Sequence, residues 1–331
     1  MKKAKIIGTG SYVPEKILTN RDLEKMVETS DDWIVSRTGI RERRIAKEDE
    51  YTSDMGYMAA KLAIEDAKLS CQEIDCILVA TLTPDYVFPS TACLIQKKLG
   101  IENVPAVDLQ AACSGYVYAL AMAKAFVEQG MYKKVLIIAA EKLSSIVNYN
   151  DRGTCVLFGD GAAACVVGFA SKGYTIQGVS LGADGGQSDL LILPAGGSRH
   201  PASHETVDKK MHYLCMEGNE VFKHAVRRME SASKECLELV GLQETDISWL
   251  IPHQANERII DAIAKRFKHL PQERVYKKIV QYYGNTSASS VGIALDHLRK
   301  EGKIQNQENV LLTVFGAGLT RGAAILKCEE G

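Results

Sequence analysis

The stretch Val107-Asp-Leu-Gln-Ala-Ala-Cys113-Ser-Gly-Tyr116 takes a strand-like run directly into a helix pattern. The helix pattern is apolar on nearly every side as far as Gln129, and Gly130 supplies a stop signal for it. This succession of strand, tight turn and helix predicts that the chain is built from alternating strands and helices.

The same succession of elements recurs in the second half of the chain. Three pairs of matching segments begin at residues 76 and 249, at residues 113 and 287, and at residues 161 and 322. The first two pairs have an offset of about 172 to 175 residues and the third is nearer 161, and a repeated offset indicates duplication. We therefore predict two similar halves, residues 1–172 and residues 173–331, with a ligand site between them.

Short apolar runs and longer amphipathic patterns alternate along the chain. Seven continuous apolar runs predict strands covered on both faces, at residues 4–7, 76–80, 135–139, 162–167, 249–251, 310–315 and 323–326. Five longer patterns predict helices at residues 53–69, 114–129, 217–239, 257–267 and 287–300. This alternation predicts an α/β fold with layered sheets, in which residues 182–208 form the longest irregular region.

The composition is that of a soluble globular protein and argues against several other classes. Of the 331 residues, 46% are hydrophobic and 24% are charged, which excludes a disordered chain. With 40 basic and 41 acidic residues, binding to nucleic acid through bulk charge is not expected. No run approaches the ~18 apolar residues of a membrane span. The start of the chain lacks the apolar stretch of a signal peptide and is predicted to lead into the first strand.

The nine cysteines include no Cys-x-x-Cys pair, which argues against a structural zinc site and against a redox dithiol. Most of them stand among apolar residues, as is typical of small buried side chains in a reducing compartment. A cytoplasmic location without a bound metal is therefore expected.

Cys113 differs from the other cysteines because it stands where a helix begins. The free N–H groups and positive potential of a helix start favour a thiolate over a thiol. Its neighbours Ala111, Ala112 and Gly115 leave room for a substrate to approach the sulfur. Cys113 is therefore a candidate nucleophile, and the alternative is a buried cysteine that fills a tight turn.

Three further segments could contribute to the same site. His253 ends an apolar strand in the half opposite Cys113, whereas the other six histidines stand in loops or on charged helices. Asn285 lies in a Gly-Asn-Thr-Ser turn, and Gly316-Ala317-Gly318 offers backbone N–H groups that suit an oxyanion hole. Each segment also has a plainer interpretation, as a structural histidine, a turn before a capped helix, and a turn between strands.

Together these motifs resemble those of the β-ketoacyl-acyl carrier protein synthase III family, the condensing enzymes that start type II fatty acid synthesis. The resemblance covers essentially the whole chain and implies a thiolase-like fold of two pseudo-duplicated halves in α-β-α-β-α layers. The matching motifs, in the family's order, begin at Ile6, Thr29, Phe88, Ala111, Asp151, Phe158, Glu217, Pro252, Gly284 and Phe315. The longest is Thr29-Ser-Asp-Asp-Trp-Ile-Val-Ser-Arg-Thr-Gly-Ile-Arg41.

The resemblance implies an acyltransferase that works through an acyl-cysteine. Cys113 would be the nucleophile, His253 and Asn285 would complete a Cys-His-Asn triad, and the backbone N–H groups of Cys113 and Ala317 would form the oxyanion hole. The expected substrates are a short acyl-coenzyme A primer and malonyl-acyl carrier protein, and the expected product is a 3-oxoacyl-carrier protein. No metal or other cofactor is expected.

The resemblance also implies how substrates and partners are bound. Trp33 and Arg152 would stack on the two faces of the adenine of coenzyme A. The channel for the rest of that molecule would be lined by Arg37, Thr38 and Asn219. The protein would be a homodimer in which Phe88 reaches into the partner's acyl pocket.

A basic patch is expected near the channel mouth, because acyl carrier proteins are acidic. Arg258, Lys265 and Arg266 are spaced so that they share one face of a predicted helix, and Lys223 could extend the patch. The alternative is an ordinary solvated helix face, with Asp261 neutralising Arg258.

Two departures from the family's pattern bear on the site. The last loop has Ala317 in the middle of what is a glycine triplet in the family, and an alanine fits there only with a negative φ. The loop of residues 196–212 is longer than in the shortest members, so it could alter the pocket mouth. The length and branching of the primer do not follow from the sequence.

Other functions fit the motifs less well. Cys, His and Asn also occur in this order in papain-like proteases, but the local context of the protease cysteine is missing here. A non-catalytic acyl-binding relative would be expected to have lost Cys113, His253 or Asn285. A biosynthetic thiolase would need a second catalytic cysteine in the late loop, and an elongating synthase would have a second histidine in place of Asn285.

Overall fold

The computed structural model describes residues 2–329, so the predicted outer ends of the two halves, at residues 1 and 331, lie outside the described residues. The strands are β1 Lys5–Tyr12, β2 Ile17–Thr19, β3 Glu42–Arg44, β4 Cys76–Ala80, β5 Ala106–Leu109, β6 Lys134–Glu141, β7 Gly161–Gly168, β8 Gly173–Ala183, β9 Leu191–Ile192, β10 Cys215–Met216, β11 Trp249–Pro252, β12 Asn309–Gly316 and β13 Thr320–Glu329.

The α-helices are α1 Asn20–Leu23, α2 Asp31–Thr38, α3 Thr52–Asp66, α4 Thr91–Leu99, α5 Gly115–Glu128, α6 Arg152–Cys155, α7 His204–Asp208, α8 Gly218–Val240, α9 Glu257–Ala264, α10 Lys278–Tyr283 and α11 Ser289–Lys300. Short 3-10 turns lie at Cys71–Glu73, Ala112–Ser114, Leu143–Ser145, Gly185–Leu190, Glu244–Asp246 and Gln272–Arg274. Within residues 2–329, no helix combines the length and the apolar character that crossing a bilayer requires.

Nine strands form one continuous sheet in the order β11-β12-β13-β8-β1-β7-β6-β4-β5. The order β4-β6-β7-β1 is repeated by β11-β12-β13-β8, and in both series the first pair is parallel and the next two are antiparallel. The two series join edge to edge, where Lys5 and Ile6 pair with Thr175 and Tyr174. The predicted boundary at residues 172 and 173 falls just before β8 and stays a prediction.

The alternation of side chains along the strands produces five layers. On β4, Leu78 packs in a core with α5 and α11, whereas Ile77 and Val79 pack on the opposite face with α3 and α4. On β12, Leu312 faces α5 and α11, whereas Leu311 faces α8 and α9. The layers are therefore helices α3 and α4, the first series of strands, α5 and α11, the second series, and α8 and α9. This is the predicted thiolase-like architecture.

The helices of the middle layer are covered on both sides. Val117 and Leu120 of α5, like Val291 and Leu295 of α11, have no exposed surface. Burial of each such side chain contributes about 1.5–3 kcal/mol relative to an exposed position. The nearly all-round apolar pattern that follows Cys113 in the sequence reflects this enclosure.

All seven predicted strands and all five predicted helices are present, with ends that shift by a few residues. Strand β8, the longest strand among residues 2–329, was not predicted, because its apolar residues alternate with glycines and polar residues. The region predicted to be irregular, residues 182–208, contains the short strand β9 and helix α7.

Candidate active site

A cavity of about 750 Å³ lies where the two halves meet, and nine of the predicted site residues line it. These are Cys113, His253, Asn285, Trp33, Arg37, Thr38, Asn219, Lys223 and Arg258. Arg152 and Ala317 directly adjoin the lining residues Gly153 and Gly316. Three predicted residues lie away from this wall: Phe88, Lys265 and Arg266. The structure therefore gathers the predicted triad and most of the predicted coenzyme A contacts around one space.

Cys113 lies in the 3-10 turn that joins β5 to α5, and it is 6% exposed. Ala112 before it has a φ of 45°, a left-handed conformation that non-glycine residues seldom adopt. Gly115 after it passes so close to β4 that a Cβ there would lie 2.8 Å from the Cβ of Ala80. The tight turn and the glycine thus fix the sulfur at the cavity wall.

The resting form of Cys113 differs from the sequence expectation. Burial raises the pKa of Cys113 to about 12, a hydrogen-bond contact with Ser287 lowers it, and the charge of Glu141 raises it. The field of the helix start was expected to favour the thiolate, whereas desolvation of the charged sulfur favours the thiol. The free protein therefore holds a thiol at this position.

His253 follows directly on β11 and is held by neighbours from both sides. Its backbone N–H donates to the Thr313 carbonyl at 2.8 Å, and its Nδ1 lies 2.7 Å from Ser290 Oγ. Ser290 Oγ also accepts the N–H of Gln254, and when its own proton is donated to Nδ1, Nε2 is the protonated nitrogen. Burial lowers the pKa of His253 to about 4, so the ring is a neutral hydrogen-bond donor.

Asn285 lies between α10 and α11, where its backbone is tied on both sides. Its N–H donates to the Leu157 carbonyl at 2.8 Å, and its carbonyl accepts from the N–H of Gly159 at 3.1 Å. Its Oδ1 accepts the N–H of Ser287 at 2.8 Å, which leaves the two N–H groups of Nδ2 available for the cavity. Gly284 before it has φ 68° and ψ −160°, a combination that is essentially restricted to glycine.

The loop of residues 316–318 joins β12 to β13 beside the start of α5. A Cβ at Gly316 would lie 2.8 Å from the backbone nitrogen of Cys113 and 3.1 Å from that of Ser114, so glycine is required there. The positive φ of the loop, 132°, belongs to Gly318, and Ala317 is not among the residues with positive φ. The alanine that departs from the family's triplet therefore fits without backbone strain.

Trp33, Arg37 and Arg152 form a stack at the cavity mouth. The Ser30 side chain caps α2 by accepting the N–H of Trp33, which fixes the start of the helix. The guanidinium carbons of Arg37 and Arg152 each lie 4.8 Å from the centre of the Trp33 ring. An adenine between two such planes needs a gap of roughly 7 Å, or two van der Waals contacts. Trp33 and Arg152, the predicted partners of the adenine, therefore lie too close together to admit its ring, and Arg152 must move before the adenine can enter.

The ion pairs of the predicted docking patch argue against the alternative in which Asp261 neutralises Arg258, but they pair two other members of the patch with acidic residues. Asp261 pairs with Lys277 at 3.2 Å and does not neutralise Arg258, whose guanidinium lies 5.7 Å from the Phe222 ring centre. Arg266 pairs with Glu230 and Lys223 pairs with Glu220. In residues 2–329, Arg258 and Lys265 thus remain without an acidic partner, and both line a second hollow of about 580 Å³ next to the cavity.

Two other predicted features lie on the outside. Phe88 is 85% exposed, next to Val87 at 88% and Tyr86 at 61%, so three large apolar side chains form one exposed patch. In the long loop of residues 196–212, helix α7 is capped by Ser203, and Thr206 Oγ1 lies 2.9 Å from His212 Nε2. None of these loop residues is among those that line the cavity. The loop reaches the pocket only through the flanking strands β9 and β10, which supply Leu191 and Met216.

Three polar residues that the sequence did not indicate surround the predicted triad. Ser290 contacts His253. Ser287 lies beside Cys113, whose pKa it lowers, and donates its N–H to Asn285, while Glu141 accepts a hydrogen bond from Ser287 at 3.1 Å. Glu141 is the last residue of the apolar strand β6 and is completely buried. A charged residue at the end of a core strand was the signal in the sequence that could have identified it.

The site draws on both repeats of the fold, since Cys113 lies in the turn that leads into α5, His253 follows β11 and Asn285 precedes α11. A cysteine at a strand-to-helix turn that faces neutral hydrogen-bond donors from a matching half is the arrangement of the condensing enzymes with the thiolase fold. The comparisons with known proteins narrow this class to one family.

The family profile described as 3-oxoacyl-acyl-carrier-protein (ACP) synthase III matches residues 107–185, and that of its C-terminal part matches residues 237–328. A β-ketoacyl-acyl-carrier-protein synthase III from Chlamydia muridarum is 62% identical over 326 residues, covering 98% of this chain and 99% of that protein. The chain belongs to the β-ketoacyl-acyl carrier protein synthase III family of condensing enzymes.

Solved structures of the same family superpose over nearly the full chain. The 3-oxoacyl-acyl-carrier-protein synthase III of Aquifex aeolicus has 49% identity and a TM-score of 0.89, with 98% of this chain and 99% of that chain covered. The synthase III of Thermus thermophilus has 45% identity and a TM-score of 0.90, with 99% and 100% covered. Both the sequence and the fold therefore identify the same family.

Proposed function

We propose that the protein catalyses the decarboxylative condensation of a short acyl-coenzyme A with malonyl-acyl carrier protein, through an acyl group held on Cys113. The product is a 3-oxoacyl-carrier protein, which starts a type II fatty acid chain. The observation that carries this proposal is the convergence of Cys113, His253 and Asn285 on one cavity whose mouth bears Trp33 and two arginines.

The first half-reaction acylates the cysteine. The sulfur of Cys113 attacks the thioester carbon of the acyl-coenzyme A, and the N–H groups of Cys113 and Ala317 stabilise the oxyanion. Coenzyme A then leaves and the acyl group remains on the sulfur. Division of one difficult step into two easier ones is the benefit of covalent catalysis.

The second half-reaction forms the carbon–carbon bond. Malonyl-acyl carrier protein enters the same channel, and its thioester carbonyl accepts hydrogen bonds from His253 Nε2 and Asn285 Nδ2. Neutral donors suit this step, because they stabilise the enolate that forms as carbon dioxide leaves without having to transfer a proton. The carbanion attacks the acyl-cysteine and releases the 3-oxoacyl-carrier protein. The reaction requires neither a metal nor another cofactor.

The same proposal assigns the partners and the location. Acyl carrier protein docks on Arg258 and Lys265, with Lys223 and Arg266 at the edges. A second copy of the chain covers the exposed patch of Tyr86, Val87 and Phe88, so the protein acts as a homodimer in the cytoplasm. No part of this chemistry involves a nucleic acid or a membrane.

A direct assay tests the proposed reaction and identifies the primer. The protein is incubated with malonyl-acyl carrier protein and a panel of straight and branched acyl-coenzyme A esters, and the carrier protein is weighed by mass spectrometry. A 3-oxoacyl-carrier protein that carries the offered acyl group is the expected product. Release of free acid without any condensation product would instead indicate a hydrolase.

Replacement of Trp33 tests the predicted adenine contact. Stacking of a base on an aromatic ring contributes about 1–3 kcal/mol. Trp33→Ala should therefore raise the KM for acyl-coenzyme A by roughly five-fold or more and lower kcat much less. Tyr282→Ala, which removes another exposed aromatic side chain, serves as the matched control. An unchanged KM in Trp33→Ala would show that Trp33 only packs α2.

Charge reversal at Arg258 tests the docking surface. Arg258 has no acidic partner among the described residues, so Arg258→Glu should weaken the use of malonyl-acyl carrier protein several-fold at low salt. Uptake of the acyl group from coenzyme A should change little. The defect should shrink as salt shortens the Debye length below about 10 Å.

The control for this reversal is Lys61→Glu on α3, in the outer layer of the other half. Both variants lose one positive charge and gain one negative charge. Equal kinetics of Arg258→Glu and wild type at low salt would place the docking surface elsewhere.

A further inference from the structure

Glu141 and Ser287 form a hydrogen-bonded path from Cys113 into the protein interior that the chemistry above does not use. Glu141 ends β6 and is 0% exposed, and Ser287 is 1% exposed. The hydroxyl of Ser287 lies beside Cys113, whose pKa it lowers, and donates to Glu141 Oε1 at 3.1 Å. The path therefore joins the sulfur to a carboxylate through one hydroxyl.

Four donors hold Glu141 by its other oxygen. Oε2 accepts from the N–H of Leu82 at 3.1 Å, the N–H of Thr83 at 3.2 Å, Thr83 Oγ1 at 2.7 Å and Thr81 Oγ1 at 3.3 Å. Within residues 2–329, the hydrogen bond to Oε1 comes from Ser287 alone. The carboxylate is thus fixed at one oxygen and directed toward Ser287 with the other.

Ser287 is held in the orientation that this path needs. Its φ of 52° lies in the left-handed region, which is costly for a residue other than glycine or asparagine. Its N–H donates to Asn285 Oδ1 at 2.8 Å, so the same residue also orients the amide of Asn285. The hydrogen bonds of Ser287 to Asn285 and Glu141 keep it in this strained conformation. Strain that is kept in this way beside the nucleophile indicates a functional constraint.

Electrostatics explain why a proton path would matter here. Loss of the Cys113 proton to solvent would place a second negative charge beside the buried Glu141, and two like charges in one buried site strongly disfavour each other. Within residues 2–329, Glu141 is the charged group that acts on Cys113, while His253 is neutral. Transfer of the proton to Glu141 keeps the number of buried charges at one.

We propose that Glu141 takes up the proton of Cys113 through the hydroxyl of Ser287 as the sulfur attacks its substrate. The S–H bond breaks and its proton joins Ser287 Oγ, whose own proton passes to Glu141 Oε1. The sulfur's electron pair forms the bond to the acyl carbon, and coenzyme A leaves as a thiolate that takes a proton from solvent.

The path also resets the enzyme, given the function proposed above. In the condensation step the carbanion displaces the sulfur from the acyl carbon, so Cys113 departs as a thiolate. That thiolate recovers the proton from Glu141 through Ser287. In this cycle Ser287 touches the reacting atom, and Glu141 acts through it.

The pH profile of Cys113 alkylation tests the path without any acyl substrate. Burial raises the pKa of Glu141 to about 7, while hydrogen bonds from Thr83, Leu82, Ser287 and Thr81 lower it. Above that pH, attack by the sulfur as Glu141 takes up its proton has a rate that does not change with pH, whereas attack by a thiolate that has lost its proton to solvent speeds up about ten-fold per pH unit. Wild type treated with iodoacetamide should therefore show a plateau in rate directly above the pKa of Glu141, between about pH 7 and 8.5, where direct loss of the thiol proton to solvent contributes least. Mass spectrometry of the Cys113 peptide measures the rate.

Glu141→Gln and Ser287→Ala should lose the plateau. Their alkylation rate should instead rise about ten-fold per pH unit, and at pH 8 it should be about ten-fold or more below wild type. Removal of the Glu141 charge alone would ease thiolate formation and speed alkylation, so a slower rate separates the path from a simple charge effect. If Glu141→Gln does not fold, Ser287→Ala decides the question.

Asp160→Asn is the matched control. Asp160 is also 0% exposed and accepts the N–H groups of Ala46 and Ser144, but it does not line the cavity. Its variant should keep the plateau. The proposal is overturned if wild type shows no plateau, if both path variants keep it, or if Asp160→Asn loses it as well. Failure of acyl transfer in wild type would leave this measurement intact, so the two failures are distinguishable.

Discussion

Replacement of Cys113 with alanine is expected to abolish both the acyl adduct and the condensation, because Cys113 is the one cysteine among the described residues that line this cavity. The substitution removes one sulfur atom from a buried turn, so the fold should persist. Incubation with a labelled acyl-coenzyme A, followed by mass mapping of all nine cysteines, measures the effect. Wild type should carry the label on Cys113 alone, and Cys113→Ala should carry none.

Cys165→Ala is the matched control for this loss. Cys165 is fully buried in β7, and burial raises its pKa to about 12, as it does for Cys113, but it does not line the cavity. Cys165→Ala should take up the acyl group as wild type does. A stable acyl adduct on another cysteine of Cys113→Ala would refute the assignment.

Replacement of Asn285 should separate the two half-reactions. Asn285→Ala should still accept the acyl group from coenzyme A, while condensation should fall by roughly 100-fold or more, the usual loss for one oxyanion donor. Pre-steady-state acylation and steady-state formation of the 3-oxoacyl-carrier protein measure the two steps separately. Equal losses in both would mean that Asn285 mainly shapes the site.

Two further variants make this test specific. Asn285→Asp keeps an oxygen to accept the Ser287 N–H but removes the Nδ2 donor, so it should also be slow in condensation. Thr286→Val changes the next residue, a buried threonine whose hydroxyl has no hydrogen-bond partner among the described residues, and it should retain both half-reactions.

The sequence could predict the architecture because the relevant signals are local. The continuous apolar runs at β4, β6, β7, β11, β12 and β13 mark strands that are covered on both faces. Strand β8 breaks this rule, since its glycines and polar residues interrupt the run, yet it pairs with both β1 and β13. Its place at the join between the two halves depends on partners that are distant in sequence.

The individual site residues could be predicted, but their surroundings could not. Cys113 was singled out by its place at a helix start, whereas the effect of burial on its pKa depends on the layers packed around it. The pairing of Asp261 with Lys277 instead of Arg258 depends on how α9 meets the chain before α10. Ser287 and Glu141 are 146 positions apart, and no spacing in the sequence indicates that they touch.

A single-turnover chase tests the central claim most directly. Wild type is first loaded with acyl-coenzyme A and weighed as intact protein, then freed of excess substrate and mixed with malonyl-acyl carrier protein. One acyl mass should appear on the protein, disappear on the second addition, and reappear in an equal amount of 3-oxoacyl-carrier protein. A protein that never gains the mass, or whose acyl group is released only as free acid, would contradict the proposed mechanism.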